Sequence, residues 1–271
     1  MIFVCPKCKL PLEIMADGRA VCKAGHSYDR AREGYYNLLL RSVGGVHGDN
    51  REMVLARRAF LDTGAYLPLA DALYGAVRET AQDSSESLDA GCGEGYYTDH
   101  IAKKLSFDSV CASVSGFDIS RDAIRYAAKK NPSLSLAVAG SYDMPVFDGS
   151  VDILLNLFAP LALEESLRVL RRGGRFIMAI PGENHLFGLK KVLYENPYKN
   201  TVQDSSLSGF SLLSAEPISY TLTLDTPESI SSLFMMTPYA YRTPREAGER
   251  LRAMSRLQTE IEFILFTYEK R

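Results

Sequence analysis

Four residues near the N-terminus, Cys5, Cys8, Cys22 and His26, follow a Cys-x2-Cys-x13-Cys-x3-His spacing. Cys5 and Cys8 put two thiolates on one tight turn, and Cys22 with His26 can close a tetrahedron from a neighbouring turn. Thiolates and an imidazole suit zinc, and four protein ligands leave no coordination position open, so the expected role is structural. A redox Cys-x2-Cys pair needs neither the third cysteine nor the histidine, and usually precedes a helix in a βαβ unit. Cys92 and Cys111 have no spacing partner and are expected to be buried apolar residues.

The second chemical signal is Leu88-Asp89-Ala90-Gly91-Cys92-Gly93-Glu94-Gly95. It follows a strand pattern and opens a helix. Glycines let backbone approach a ligand closely, and the amides of a helix N-terminus can face an anionic group. The spacing is not the G-x-G-x-x-G of a dinucleotide site. Asp118 ends the next strand pattern, where a carboxylate can accept hydrogen bonds from both hydroxyls of a ribose. Asp118 could instead cap a helix, although Ser120 can serve that purpose.

These groups must be positioned by the elements around them. Strand patterns at 87–90, 110–118, 134–139, 151–155 and 175–180 alternate with helix patterns at 96–105, 120–130 and 161–170. Such alternation implies an α/β fold with a mostly parallel sheet covered by helices on both faces. Asn50 can cap a helix ending near Gly64, and a second helix is expected over 68–80 with Pro68 in its first turn. Beyond Pro181 the pattern predicts a helix at 185–194, strand over 210–224, helix over 244–256 and an edge or antiparallel strand at 260–268. Residues 1–40 are expected to be a small metal-stapled domain, because so short a piece buries too little to fold alone. Residues 41–49, glycine-rich and weakly patterned, are expected to be a linker, and 50–271 the large domain.

Composition is ordinary for a globular chain: 271 residues, 46% hydrophobic and 24% charged, with net charge −2. No apolar run approaches membrane-span length. Cys5 follows the first residue too closely for a secretory signal, so a cytoplasmic, reducing location is expected. The charge argues weakly against nucleic acid, but residues 1–41 carry seven Lys/Arg against four Asp/Glu while the remainder carries 24 against 29. This asymmetry permits RNA contact through the N-terminal domain.

The Asp-x-Gly-x-Gly-x-Gly form resembles motif one of class I S-adenosylmethionine (SAM) methyltransferases, which have a Rossmann-like sheet. Three further blocks resemble that class in order: Gly116-Phe117-Asp118, then Ser141-Tyr142-Asp143-Met144-Pro145, then Arg171-Arg172-Gly173-Gly174. The resemblance implies that Asp143 contributes to the adenine contacts. End to end, the chain resembles the ribosomal RNA large-subunit methyltransferase A (RlmA) enzymes. The similarity is carried by the metal quartet, Glu33-Gly34-Tyr35-Tyr36-Asn37, Ala56-Arg57-Arg58-Ala59-Phe60, Gly93-Glu94-Gly95-Tyr96-Tyr97, Pro181-Gly182-Glu183-Asn184-His185 and Met236-Thr237-Pro238-Tyr239. It implies methylation of N1 of a guanine in a 23S rRNA hairpin near the peptide exit tunnel, a homodimer with a cleft of RNA size, and in one branch protection against macrolides. It implies zinc on Cys5, Cys8, Cys22 and His26, and SAM contacts from Tyr66, Gly95, Tyr96 and His185, alongside Asp89, Gly91, Gly93 and Asp118 of the loop and the following strand.

Alternative readings of single residues stay open at this point. Tyr66 could be a core aromatic or could face a sulfonium cation. Tyr96 could pack on the sheet, and His185 could support its helix. Tyr35-Tyr36 and Tyr239-Ala240-Tyr241 could offer stacking faces to unpaired bases. Asp143, Glu164 and His185 are each candidates to accept the guanine N1 proton, leaving the catalytic base unassigned. The pairs Arg57-Arg58, Arg171-Arg172 and Lys190-Lys191 could meet phosphate. A small-molecule methyltransferase with a structural zinc module, or a SAM-binding sensor without turnover, would share the same loop and quartet.

Overall fold

The computed structural model describes residues 2–40, 48–202 and 205–271. Residues 41–47 of the expected linker, His47 among them, lie outside the described residues. The N-terminal region forms an antiparallel ribbon of three two-residue strands, β1 (Glu13–Ile14), β2 (Ala20–Val21) and β3 (Ser27–Tyr28). A fourth short strand, β4 (Tyr36–Asn37), leaves the ribbon for the large sheet.

The order along the chain is then α1 (Arg51–Leu61), α2 (Leu67–Arg78), β5 (Glu86–Ala90), α3 (Tyr96–Phe107), β6 (Ser113–Asp118), α4 (Arg121–Lys130), β7 (Ser135–Val138), β8 (Val151–Leu157), α5 (Leu163–Val169), β9 (Leu170–Pro181) and α6 (Phe187–Leu193). It ends with β10 (Phe210–Leu224), α7 (Pro227–Met235), α8 (Arg245–Arg252) and β11 (Leu257–Lys270). Caps fix where several helices begin. The Asn50 side chain accepts from the Met53 N–H at 2.9 Å to start α1, and Ser120 Oγ accepts from the Ala123 N–H at 3.3 Å to start α4.

Eight strands form one sheet in the order β10-β11-β9-β8-β5-β6-β7-β4. From β9 through β4 every pairing is parallel, while β11 and β10 add an antiparallel hairpin at the β9 edge. The central strands are buried on both faces, so Ile153–Leu155 of β8 reads as an apolar run rather than an alternation, and even Asp89 of β5 and Asn156 of β8 are buried. This is the expected class I fold. Two differences have local causes. β9 starts at Leu170, where the expected helix was still running, because Leu170 pairs with Val151 of β8. The serine-rich α7 is not among the expected helices, yet its Ile230, Leu233 and Phe234, spaced i, i+3 and i+4, form one buried helical face.

The ribbon is not set apart from the sheet. Phe3, Cys5, Leu12, Cys22, Tyr36 and Leu38 belong to the same buried cluster as Leu88, Phe117, Ala137 and Val146. Tyr36 and Asn37 pair in parallel with Ala137 and Val138, the Val4 N–H donates to the Pro145 carbonyl at 2.8 Å, and Lys9 forms an ion pair with Asp143. Cys111, expected to be buried, is exposed. Tyr35 and Tyr36, offered above as stacking faces, are buried at 3% and 4% exposure; the Tyr36 hydroxyl donates to the Gly18 carbonyl at 2.8 Å.

Candidate active site and metal centre

The four metal-ligand candidates converge. One ligand atom from each of Cys5, Cys8, Cys22 and His26 lies within 4.8 Å of the other three. His26 Nδ1 is 3.4 Å from Cys5 Sγ and 3.5 Å from Cys22 Sγ, and Cys8 Sγ is 3.6 Å from Cys22 Sγ. A tetrahedron built with ordinary Zn–S and Zn–N bond lengths has edges of about 3.5–3.8 Å, so these separations fit a single zinc ion. The cysteines sit on two turns of different length. The Lys9 N–H donates to the Cys5 carbonyl at 2.7 Å and the Gly25 N–H to the Cys22 carbonyl at 2.9 Å, with Lys9 and Gly25 both left-handed (φ 57° and 82°). The Tyr28 hydroxyl, 3.2 Å from Cys5 Sγ, can donate to that thiolate and hold it in place.

The second site is a cavity of about 630 Å³ at the C-terminal ends of β5, β6, β8 and β9, where open α/β sheets bind their ligands. Its floor is the turn between β5 and α3. Gly91, Gly93 and Gly95 all have left-handed backbones (φ 89°, 56° and 80°). A Cβ on Gly91 would lie 2.5 Å from the Ala159 Cβ. Gly95 also has a packing reason: its Cβ would fall 2.9 Å from the Ala127 Cβ of α4. Gly91 and Gly93 line the cavity, while Gly95 lies where the turn brings α3 against α4.

Two buried carboxylates, Asp89 and Glu94, and a half-buried one, Asp118, surround that floor. Asp118 is tied to the loop: its Oδ2 accepts from the Gly93 N–H at 3.0 Å and its Oδ1 from the Ser120 N–H at 2.7 Å. Asp89 accepts from the Thr98 hydroxyl at 2.6 Å, while its other oxygen has no hydrogen-bond partner among the described residues. Burial pushes Asp89 up to about 7 despite the Thr98 bond, with the Asp118 charge adding to the rise. Glu94 is 2% exposed, and among the described residues neither of its oxygens has a hydrogen-bond partner and its ion-pair partner is Lys130 at 3.7 Å. Burial raises Glu94 and Asp118 as well. Orphaned buried carboxylates beside a glycine cradle suit a ligand that brings positive charge and hydroxyl donors, as SAM does.

Tyr66 and His185 meet at the wall. Tyr66 is buried, and its ring packs edge-on to Phe60 and Phe263 with both centroid distances 5.0 Å. Tyr66 is thus core on one side and cavity lining on the other. His185 accepts from the Glu262 N–H through Nδ1 at 3.3 Å, and burial, with help from the Lys190 charge, lowers it to about 3. The neutral ring therefore carries its hydrogen on Nε2, 3.5 Å from the Tyr66 hydroxyl. It is a donor and not a proton acceptor, which removes it as a base. Tyr96 lines the cavity with its ring beneath Lys130 Nζ at 5.1 Å.

Two other expectations are corrected. Asp143 does not reach the cavity; its 67%-exposed side chain is ion-paired with Lys9 of the ribbon. Glu164 is exposed on α5 and does not line the cavity. None of the three proposed bases is thus placed to accept a proton there. Of the proposed phosphate contacts, Lys190 is fully buried, donating to the Asn200 side-chain oxygen at 2.6 Å and the Tyr198 carbonyl at 3.1 Å. Arg171 is held by Asp152 at 2.7 Å.

Several cavity residues went unnoticed in the sequence. Arg57 of α1 lines the cavity, forms an ion pair with Asp49 and reaches the Met236 carbonyl at 3.5 Å. Gly48 and Asp49, assigned to the linker, lie against the Asp118–Ser120 turn, and the Ser120 hydroxyl donates to the Asp49 carbonyl at 2.8 Å. Asn200 donates to the Gly182 carbonyl at 2.8 Å and lines the same space. Only the Ala56-Arg57-Arg58 string hinted at any of these.

Comparison with known proteins bears on this geometry. Residues 3–40 match the family model described as RlmA, N-terminal, and residues 88–178 match that of a methyltransferase domain. The chain is 33% identical over 256 residues to the 23S rRNA (guanine(748)-N(1))-methyltransferase of Streptomyces fradiae, spanning 91% of this chain and 89% of that protein. The chain belongs to this methyltransferase family. It is also 35% identical to a putative 23S rRNA (guanine-N(1)-)-methyltransferase of Micromonospora griseorubida, covering 93% of this chain and 91% of that one. A Bacillus subtilis protein of the same putative designation is 29% identical, with 93% and 92% covered. The enzyme is a SAM-dependent methyltransferase with a zinc ribbon, and its cofactors are SAM and a structural zinc ion.

The buried Asp89 gives a pH signature. Its folded pKa is raised above its unfolded value, so the folded state is favoured at low pH and loses that advantage as pH rises from about 4 to 7. Between pH 5 and pH 8, wild type should lose about 3 kcal/mol of unfolding free energy relative to Asp89→Asn, read by urea denaturation. Parallel pH profiles would contradict the buried, poorly solvated carboxylate. For the metal centre, chelation should lower the thermal midpoint of the entire chain in one transition, since ribbon and sheet share a core. A methyltransferase transition unmoved by chelator would contradict that coupling.

Proposed function

We propose that the protein methylates N1 of a guanine in 23S rRNA, in a hairpin near the peptide exit tunnel. The observation that carries this reading is the pairing of a metal ribbon with a SAM-class cavity in a chain akin to such enzymes over nine-tenths of its length. Bound SAM supplies a methyl group on a sulfonium; the S–C bond breaks as the N1–C bond forms, S-adenosylhomocysteine departs and the N1 proton is lost to water.

The protein's own residues divide the work. Gly91 and Gly93 let backbone approach the cofactor, and Asp118 keeps free lone pairs toward a ribose. Asp89 and Glu94 offer negative charge to a cationic ligand, and become ionised more readily when one arrives. His185, fixed as an Nε2–H donor, suits a carboxylate oxygen, and Tyr66 and Tyr96 close the sides. Cys5, Cys8, Cys22 and His26 hold zinc, which stiffens the mildly basic ribbon as an RNA-contacting surface.

Guanine N1 is paired in duplex RNA, so the base must be presented unstacked and unpaired, as in a loop. Alignment of the methyl carbon with N1 then supplies much of the acceleration. Two copies pairing to frame a cleft, a cytoplasmic location and protection against macrolides complete the proposal. Among the described residues no helix is long and apolar enough to cross a membrane.

The test is incubation with tritiated SAM and protein-free 23S rRNA from a strain lacking this enzyme, followed by mapping of the modified nucleotide. Label on N1 of a single hairpin guanine is expected. Label absent from RNA but present on a small molecule would favour the alternative methyltransferase reading.

A further inference from the structure

The cavity mouth contains an aromatic ring whose placement the cofactor does not explain. Phe158 follows the last residue of β8, lines the cavity and is 48% exposed. The other aromatic side chains packed around it are buried, Tyr97 at 9% and Phe263 at 1%. Among the described residues it is the one large exposed hydrophobic side chain that lines this cavity.

Its backbone is also unusual. Phe158 has φ 61°, a left-handed conformation that bulky side chains rarely adopt. Among the described residues five non-glycine positions have positive φ, and two of them, Phe158 and Leu186, line this cavity. Strain of this kind persists where the surroundings over-determine it, and it gathers at functional sites. The surroundings are in view: Ala159 abuts Gly91 so closely that a Cβ there would clash at 2.5 Å, and the Pro160 carbonyl accepts from the buried Asn156 side chain at 3.4 Å. The ring itself rests on Phe263 (centroids 5.4 Å apart, 50°) and Tyr97 (6.4 Å, 52°).

The chain therefore turns a large apolar ring outward at the lip of the cavity, one residue from a contact with the cofactor loop, and backs it with two buried rings. An exposed flat face beside the methyl-donor loop suits a flat, unstacked acceptor, and every nucleobase has a π face to offer it. We propose that Phe158 is the platform on which the extruded target base stacks, setting the plane in which guanine N1 meets the methyl group. This rests on the reading that the acceptor is an rRNA guanine.

Phe158 touches the base and not the cofactor, so its substitution separates the two. The experiment compares wild type with Phe158→Leu, Phe158→Tyr and Phe158→Trp. It measures SAM affinity by calorimetry, and kcat/KM for methylation of 23S rRNA lacking the modification. Stacking predicts that Phe158→Leu loses about 10- to 100-fold in kcat/KM for RNA while SAM affinity stays within about twofold of wild type. Tyrosine and tryptophan should restore most of the loss, which a purely structural role for the side chain would not require.

The inference is overturned if Phe158→Leu matches wild type on RNA, if the aromatic variants are as impaired as leucine, or if leucine weakens SAM in proportion. If wild type itself transfers no methyl group to 23S rRNA, the rRNA reading falls and the platform falls with it; a wild type that methylates RNA beside an unaffected leucine variant sinks the platform alone.

Discussion

The turn between β5 and α3 is drawn against its neighbours more tightly than any side chain permits. Gly91 presses on Ala159 after β8, and Gly95 presses on Ala127 in α4. Left-handed backbone at 91, 93 and 95 makes those approaches possible. The cavity is the space this turn leaves between the strand ends. Its contents follow: the backbone faces Asp118 on one side and the Phe158–Pro160 segment on the other, so the glycine loop and the lip carrying Phe158 adjoin. A methyl-transferring site needs donor and acceptor in direct contact, and here one close-packed turn brings both walls together.

Charge is the second organising constraint. Asp89 and Glu94 lie buried on the cavity and Asp118 half-buried beside them, with desolvation raising each of them. Desolvated carboxylates with orphaned oxygens are unfavourable in isolation and favour a cationic guest. Arg57 is the cavity's own counter-charge, and its ion pair with Asp49 joins α1 to the segment lying over the Asp118 turn. Lys190, buried without any carboxylate ion-pair partner among the described residues, is instead satisfied by Asn200, the Tyr198 carbonyl and the Tyr198 ring at 4.4 Å. It holds the 198–200 segment against the wall that Asn200 and His185 share.

Much of this was legible in the sequence because it is local. The metal quartet and the glycine loop declare themselves by spacing, and the alternation of strand and helix patterns announces a parallel sheet. What stayed hidden depends on distant partners. Asp143 sits in a block containing several acids, and only the fold shows that Lys9, 134 residues away, claims it. Tyr35 and Tyr36 look like stacking faces until β4 is seen to join the edge of the large sheet, which buries them. The left-handed backbone of Phe158 lies next to the close approach of Ala159 to Gly91, a contact across 68 residues. Arg57 looked like half of a basic pair because nothing local reveals that α1 lies over the cofactor loop.

The ribbon and the sheet share a buried cluster, so zinc binding and the catalytic domain are mechanically continuous rather than strung on a tether. The account stands or falls on where the cofactor sits. Hydrogen–deuterium exchange of the full chain, with and without SAM, tests this most directly. Added SAM should slow exchange at residues 91–97 and 118–120, with little change on the exposed β10 edge. Protection confined to other segments, with the 91–97 turn exchanging as before, would contradict it.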